Sequence, residues 1–334
     1  MTNPLVSIII PNYNGANTLR PCLRTATSLM SESVELIVVD DASTDDSITL
    51  IRQFPCKVIQ MDAHGGAARA RNIGAAHSRG EWLFFTDADC LLSRQALSLI
   101  TTYIKQATDD RVIGGSYTPR PYDDRFLSRF QSMFIHYFET RHAESPDYLA
   151  THALLIKAKI FRDSGGFAED IGPILEDVEF SHRLRRAGLK LQMLPALQVQ
   201  HIFNYSLLAS WRNAIRKTRY WIRYSLANGD LLADSGTASR QLKVNVCVFY
   251  LSLVLLGLAS LKMPGTLGFV AILVSGNVFL QRGLFKVFYR HAGSSLSGLG
   301  AMLYYLCIYP LPVGMGALAG LAGYLQQAGH NRYR

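Results

Sequence analysis

Three stretches near the C-terminus carry no charged side chain: 18 residues between Lys243 and Lys262, 19 between Lys262 and Arg282, and all of Ala292–Gly329. A helix that crosses a bilayer needs about 20 mostly apolar residues, so each of the first two runs has room for one span. The third contains the apolar stretch Leu296–Leu325, interrupted by Pro310 and Pro312. One long, kinked span suits it better than two short ones. Core helices of a soluble protein would each keep a polar face, which these runs lack. The expected division is a first domain over 1–205, a basic segment over 206–242, and a membrane domain over 243–334 with spans at 244–261, 264–281 and 296–325.

The formal net charge of +9 is unevenly spread. Residues 1–200 hold 21 basic and 23 acidic side chains, whereas residues 201–334 hold 13 basic ones against only Asp230 and Asp234. The positive charge thus accompanies apolar sequence, which points to anionic lipid and away from nucleic acid. Seven positives lie between Arg212 and Lys243, and Arg282, Lys286 and Arg290 follow the second run. By the positive-inside rule these segments face the cytosol, on the same side as the first domain. Three spans then leave Arg332 and Arg334 on the opposite side. On a helix over Leu208–Leu226, Trp211, Ile215, Thr218 and Ile222 form one stripe, with Arg212, Arg216, Arg219 and Arg223 beside it. That pairing suits a helix lying among headgroups. The five cysteines form no CxxC pair and read as reduced thiols. The apolar run Leu5–Ile10 is too short for a secretory signal. The expected location is the cell inner (plasma) membrane, multi-pass, with the first domain cytosolic.

Residues 5–116 alternate short apolar strands (5–10, 34–40, 57–60, 81–87, 111–116) with helical patterns (16–30, 44–53, 66–78, 93–107). This implies an α/β domain with a parallel sheet covered on both faces. Ligands of such sheets bind beyond the carboxyl ends of the strands. Beyond the first strand, Tyr13 offers a flat ring on which a nucleobase could stack. Beyond the second lie Asp40 and Asp41, where one carboxylate could accept from a base and the other could cap a turn. The fourth strand ends in Thr86-Asp87-Ala88-Asp89, two carboxylates that can converge on one Mg²⁺ or Mn²⁺ or serve as turn and cap residues. No GxxxxGK[ST] or GxGxxG loop follows the first strand, so the usual backbone cradle for phosphate is missing.

The blocks VSIIIPNYNG, VELIVVDDASTDDS, GGAARARNIGAA, GEWLFFTDADC and GGFAEDIGPILEDVEFSHRLRRAG, in this order, resemble an inverting family 2 glycosyltransferase of the GT-A fold over roughly residues 5–200. The resemblance implies a Rossmann-like nucleotide-diphospho-sugar transferase domain followed by an all-α membrane domain. It implies a nucleotide-sugar donor, with a lean to UDP, and a lipid-linked or glycan acceptor. It makes Pro11, Tyr13, Asp41, Arg71 and Asp87 donor contacts, and Asp87 and Asp89 the metal motif, with His201 a further candidate ligand. Glu176-Asp177 resembles the acidic motif whose Asp is the catalytic base, with Glu179 ranked second. The chemistry agrees. A sugar hydroxyl needs a carboxylate to take its proton, while a cation can stabilise the departing diphosphate.

Several positions depart from the family pattern. Ala63-His64 stands where Glu-Asn is usual, and His152 stands where Asn is frequent. Arg183, Arg185 and Arg186 read as solvated helix charges. The segment Arg216–Tyr220 is a poor match to the Gln-x-x-Arg-Trp motif of processive synthases. A polyprenyl-phosphate sugar synthase, whose acceptor phosphate needs no base, is the alternative within the class. A catalytically inactive sugar-nucleotide-binding membrane subunit is the alternative outside it.

Overall fold

The computed structural model describes residues 5–106, 110–172, 174–261 and 263–331, with side chains up to 326. Lys262, Arg332 and Arg334, which bear on the charge argument above, lie outside the described residues. By internal contacts the chain divides into two units. The first runs to Asp123 and resumes over Glu139–Phe203; the second comprises Asp124–Phe138 and the chain from Asn204 onward.

The first unit begins with β1 (Val6–Asn12), α1 (Ala16–Thr27), β2 (Val34–Asp40), α2 (Ser47–Ile51), β3 (Lys57–Gln60), α3 (Gly66–Ala76) and β4 (Trp82–Phe85). Then follow β5 (Cys90–Leu91), α4 (Arg94–Gln106), β6 (Val112–Tyr117) and α5 (Phe126–Thr140), most of which groups with the second unit. The unit closes with β7 (Leu154–Lys157), α6 (Ala158–Asp163), α7 (Glu176–Arg186) and β8 (Leu191–His201). The strands form one sheet in the order β3-β2-β1-β4-β7-β6-β8-β5. β1, β2, β3 and β4 pair in parallel, so Tyr13, Asp41 and Asp87 emerge from neighbouring strands at one edge.

The sheet is not wholly parallel, which corrects the expectation above. β7 runs antiparallel between β4 and β6, and β5 runs antiparallel to β8. β7 is four residues, Leu-Leu-Ile-Lys, with the three apolar ones buried. A run this short and uniformly apolar shows no periodicity, and direction is decided by its chain neighbours and not by its composition. One face of the sheet carries a core of Ile9, Leu83, Phe85, Leu154 and Ile156 against Phe161, Phe167 and Phe180. Full burial of each such side chain contributes about 1.5–3 kcal/mol, so this cluster holds α6 and α7 on the sheet.

The second unit adds α8 (Leu207–Asn228), α9 (Arg240–Ser260), α10 (Thr266–Leu280), α11 (Arg282–His291), α12 (Ser295–Leu303) and α13 (Pro310–Asn331). Among the described residues, two helical stretches are long and apolar enough to cross a membrane, Arg240–Ser260 and Ser295–Gln326. The segment expected to supply the second span is a 15-residue helix, about 22 Å long, that bends by 62° into α11. With α11 counted as part of one bent span, the total is three. Between α12 and α13 the chain forms a π-helical turn, Tyr304–Ile308, with Tyr309 N–H donating to the Tyr304 carbonyl at 2.8 Å. Pro310 lacks an N–H, so the widened turn falls where an α-helical bond is lost in any case.

The α8 stripe expected to lie among headgroups is covered by α13. A Cβ on Gly316 would come 2.7 Å from the Ile215 carbonyl, and one on Gly320 would come 2.7 Å from the Arg219 carbonyl. The two backbones therefore meet through glycines one helical turn apart, the small-xxx-small geometry of apolar helix pairs. Arg212, Arg216 and Arg219 remain exposed on α8. Asn245, Asn277 and Gln281 are buried where α9 and α10 meet the π-turn. Asn277 donates to Asn245 at 2.7 Å, and Asn245 donates to the Tyr305 carbonyl at 2.8 Å. Each amide satisfies another, so the polar groups tie the apolar helices together.

Candidate active site

Three loops at the carboxyl ends of β1, β2 and β3 meet first. Pro11 lies buried within β1 opposite Val39, while Tyr13 beyond it is 48% exposed. Asn14 is left-handed (φ 50°), and its side-chain oxygen accepts from Thr44 N–H at 2.8 Å, which fastens the β1 turn to the β2 loop. Asp40 is fully buried and accepts from Asn12 Nδ2 and Ser43 Oγ at 2.8 and 2.7 Å; it is the turn carboxylate of the pair. Asp41 accepts from Gly65 N–H at 2.7 Å and Gly66 N–H at 2.8 Å, while His64 Nδ1 lies 2.9 Å from it. Its side chain is 3% exposed. Asp41 therefore organises the start of α3, and the group it presents to solvent is His64, stacked on Tyr13 with ring centroids 4.0 Å apart.

The second cluster centres on Arg71, on α3 and 4% exposed. Its Nη2 donates to Asp87 Oδ1 and its Nη1 to Glu176 Oε1, both at 2.7 Å. Burial opposes the guanidinium charge, but the two carboxylates outweigh it and raise its pKa further. One planar, forked cation thus joins the metal motif to the acidic motif. Glu176, Asp177 and Glu179 occupy the first turn of α7, where the helix dipole favours carboxylate. Asp177 Oδ1 accepts from Val178 N–H at 2.8 Å. Both oxygens of Glu179 accept from Arg183 at 3.0 Å, and Arg183 also donates to the carbonyls of Ser164 and Gly166. Arg185 bonds Asp147 at 2.6 Å. Arg183 and Arg185 therefore have structural partners and are not simply solvated charges.

The third cluster lies where β5 pairs with β8. The register sets Cys90 directly opposite His201, and His201 Nε2 lies 3.3 Å from Asp89 Oδ2. Asp89, Cys90 and His201 bring one ligand atom each within 4.8 Å of one another. Burial raises the Asp89 pKa, but His201 more than offsets this and its carboxyl sits below the usual range. Burial and the neighbouring Asp89 and Asp87 push the Cys90 thiol well above its ordinary value. The Nδ1 atom of His201 is buried without a hydrogen-bond partner among the described residues. The Asp89 carboxylate and the His201 imidazole, one ring nitrogen of which has no partner among the described residues, suit a divalent cation. Asp87 sits apart from this set, with one oxygen on Arg71.

His152 packs between these clusters and the sheet. Its ring stacks on Tyr117 at 4.0 Å and its Nε2 lies 3.3 Å from Glu139 Oε2, which also accepts from Ser116 Oγ. Burial works against its charge, yet Glu139, with Asp87 and Asp177, raises its pKa. Sequence reasoning singled out His152 but not Glu139 or Tyr117. Their only signal was their position at the ends of α5 and β6. The Ala63-His64 departure was the one sequence mark of His64.

An open α/β sheet with carboxylates gathered at the ends of β2 and β4 and at the start of α7 defines a GT-A-like domain. Over 97% of this chain and 88% of the other, the fold matches a mannosyltransferase from Pyrobaculum calidifontis solved with GDP-Man and Mn²⁺, at a TM-score of 0.57 and 18% identity. Residues 7–164 match the model of the family described as glycosyl transferase family 2. Relatives include glycosyltransferase GlyG of Streptococcus pneumoniae, 28% identical over 127 residues (36% of this chain, 42% of that one). Glycosyltransferase AglE of Haloferax volcanii is 29% identical over 199 residues, 57% of this chain and 64% of that one. Those alignments take in from about two fifths to under two thirds of the relatives' own length.

Proposed function

We propose that this chain is a membrane-attached, inverting glycosyltransferase. It moves a sugar from a nucleotide-diphosphate sugar, with UDP the first candidate nucleotide, to a lipid-linked or glycan acceptor at the cytosolic membrane face. The observation that carries the reading is the Arg71 bridge, which joins Asp87 of the metal motif to Glu176 of the acidic motif through one cation.

Tyr13 offers the nucleobase a stacking face. Asp89 and His201 would hold Mg²⁺ or Mn²⁺, which when bound supplies positive charge for the departing diphosphate. Asp177, at the α7 start, accepts the proton of the acceptor hydroxyl as that oxygen attacks the anomeric carbon from the side opposite the nucleotide. Glu176 holds Arg71, and through it Asp87, in register with that base. One displacement with one base inverts the anomeric configuration, and no second carboxylic acid is required. The apolar helices of the second unit provide membrane attachment, and the exposed arginines of α8 suit anionic headgroups. The GDP-Man and Mn²⁺ of the structural neighbour are in keeping with a sugar-nucleotide donor and a divalent ion.

The test is release of nucleoside diphosphate over a panel of nucleotide sugars, with and without Mn²⁺ and lipid extract. Turnover of one donor that requires both the ion and the extract is expected. No release from any donor, with the protein folded, overturns the proposal in favour of an inactive subunit.

A further inference from the structure

We propose that His64 is the positioning residue of the nucleobase site: anchored on Asp41, it backs the Tyr13 ring so that a base stacks on the ring's other face. This rests on the donor reading given above. His64 Nδ1 lies 2.9 Å from Asp41 Oδ2, close enough for the carboxylate to hold the imidazole in place. Asp41 is itself held by two backbone N–H groups at the start of α3. The chain of contacts therefore runs from the α3 backbone through Asp41 and His64 to Tyr13, and each of the last three residues follows a different strand.

The Asp41 carboxylate is the buried anchor of this chain of contacts. Its two oxygens accept from Gly65 and Gly66 N–H, and its side chain is 3% exposed. His64 and Tyr13, in contrast, are about half exposed, at 54% and 48%. Two half-exposed rings in loops would lose rotamer freedom on binding a ligand. Stacking them at 4.0 Å and 29° pays that loss in advance. A ring fixed on one face by an anchored imidazole is a preformed platform for a flat ligand.

The experiment uses the full chain in detergent, with UDP, GDP and inorganic pyrophosphate plus Mn²⁺ as probes, titrated calorimetrically. His64→Ala should weaken UDP or GDP binding by about tenfold, the scale of one base–aromatic stack, and leave pyrophosphate binding within about twofold. His64→Phe keeps a ring without the Asp41 anchor, and His64→Gln keeps a donor without the ring; each should fall between the two. In turnover, the donor KM should rise while kcat holds, because the platform binds ground state and transition state alike. Nucleotide binding unaltered in His64→Ala while Tyr13→Ala abolishes it would overturn this assignment and leave the donor reading intact. An equal loss of pyrophosphate would also overturn it. Failure of the unaltered protein to bind UDP or GDP would defeat the donor reading itself.

Discussion

The guanidinium of Arg71 lies 2.7 Å from Asp87 and 2.7 Å from Glu176, two carboxylates 89 positions apart in the chain that its fork joins. Neither carboxylate alone would keep that geometry, since each sits at the start of a loop or helix that could relax away from the other.

Replacing Arg71 by Met leaves both acids without their cation. Loss of one partner from a buried pair typically costs about 3–5 kcal/mol, and the partial exposure of Asp87 places this case toward the lower end. Arg71→Lys restores the charge but not the fork, so activity should stay at least about tenfold down even where stability recovers. Melting temperature and kcat measured together check this; full activity in the Lys variant would remove the bridge from the mechanism.

Asp177→Asn should lower kcat by about 10²–10⁴-fold, the usual weight of a general base, with nucleotide binding retained. Glu179→Gln should cost little turnover and some stability, since Glu179 is committed to Arg183. The reverse ranking would transfer the base role to Glu179.

Asp89→Ala and His201→Ala should each weaken Mn²⁺ binding by about tenfold or more, read directly from free Mn²⁺ by electron paramagnetic resonance. Cys90→Ser should not, because a buried thiol with a raised pKa is a poor ligand for a hard ion. Mn²⁺ affinity equal to that of the unaltered protein in both of the first two variants would place the ion elsewhere.

Glu35, on β2, accepts from Ser7 Oγ at 2.5 Å, Arg79 N–H at 2.6 Å and Arg79 Nε at 3.2 Å. Burial alone would raise its pKa, but the Ser7 and Arg79 donors outweigh that and hold the carboxyl below its ordinary value. A depressed carboxyl contributes stability above its unfolded pKa and loses it as pH falls through the folded one. That contribution should fade as pH falls through and below the ordinary glutamate range. Glu35→Gln should cost about 1–2 kcal/mol at pH 7 and flatten the acid limb of a melting-temperature profile. An unchanged limb would assign the acid sensitivity to other groups.

Gly320→Val puts a branched side chain where the Arg219 carbonyl already stands 2.7 Å from a would-be Cβ. Overpacking of this kind costs about 1–3 kcal/mol. The expected result is a lower melting temperature of the detergent-solubilised chain with nucleotide binding intact. A neutral outcome would mean that α8 and α13 separate in the native state.

The carboxylates of the candidate site were largely legible in local sequence. Asp87, Asp89, Glu176 and Asp177 stand out because short motifs at strand ends and helix starts place carboxylates by local backbone geometry. The strand and helix positions of the first 116 residues followed from apolar periodicity, which reports φ/ψ and burial a few residues at a time. The apolar runs of the last third were equally plain, since bilayer-length segments are a matter of counting. Tertiary structure alone decided which of these groups meet. Arg71 comes to lie between Asp87 and Glu176 only through the fold. Cys90 and His201 become neighbours only through the register of β5 on β8, 111 positions apart. Only the β3 loop brings Gly65, Gly66 and His64 onto Asp41. The α8 stripe reads as lipid-facing until α13 covers it. In each case the partner lies far along the chain. Strand order, strand direction and close helix approach are set by the packing of the whole core, and periodicity carries no record of them.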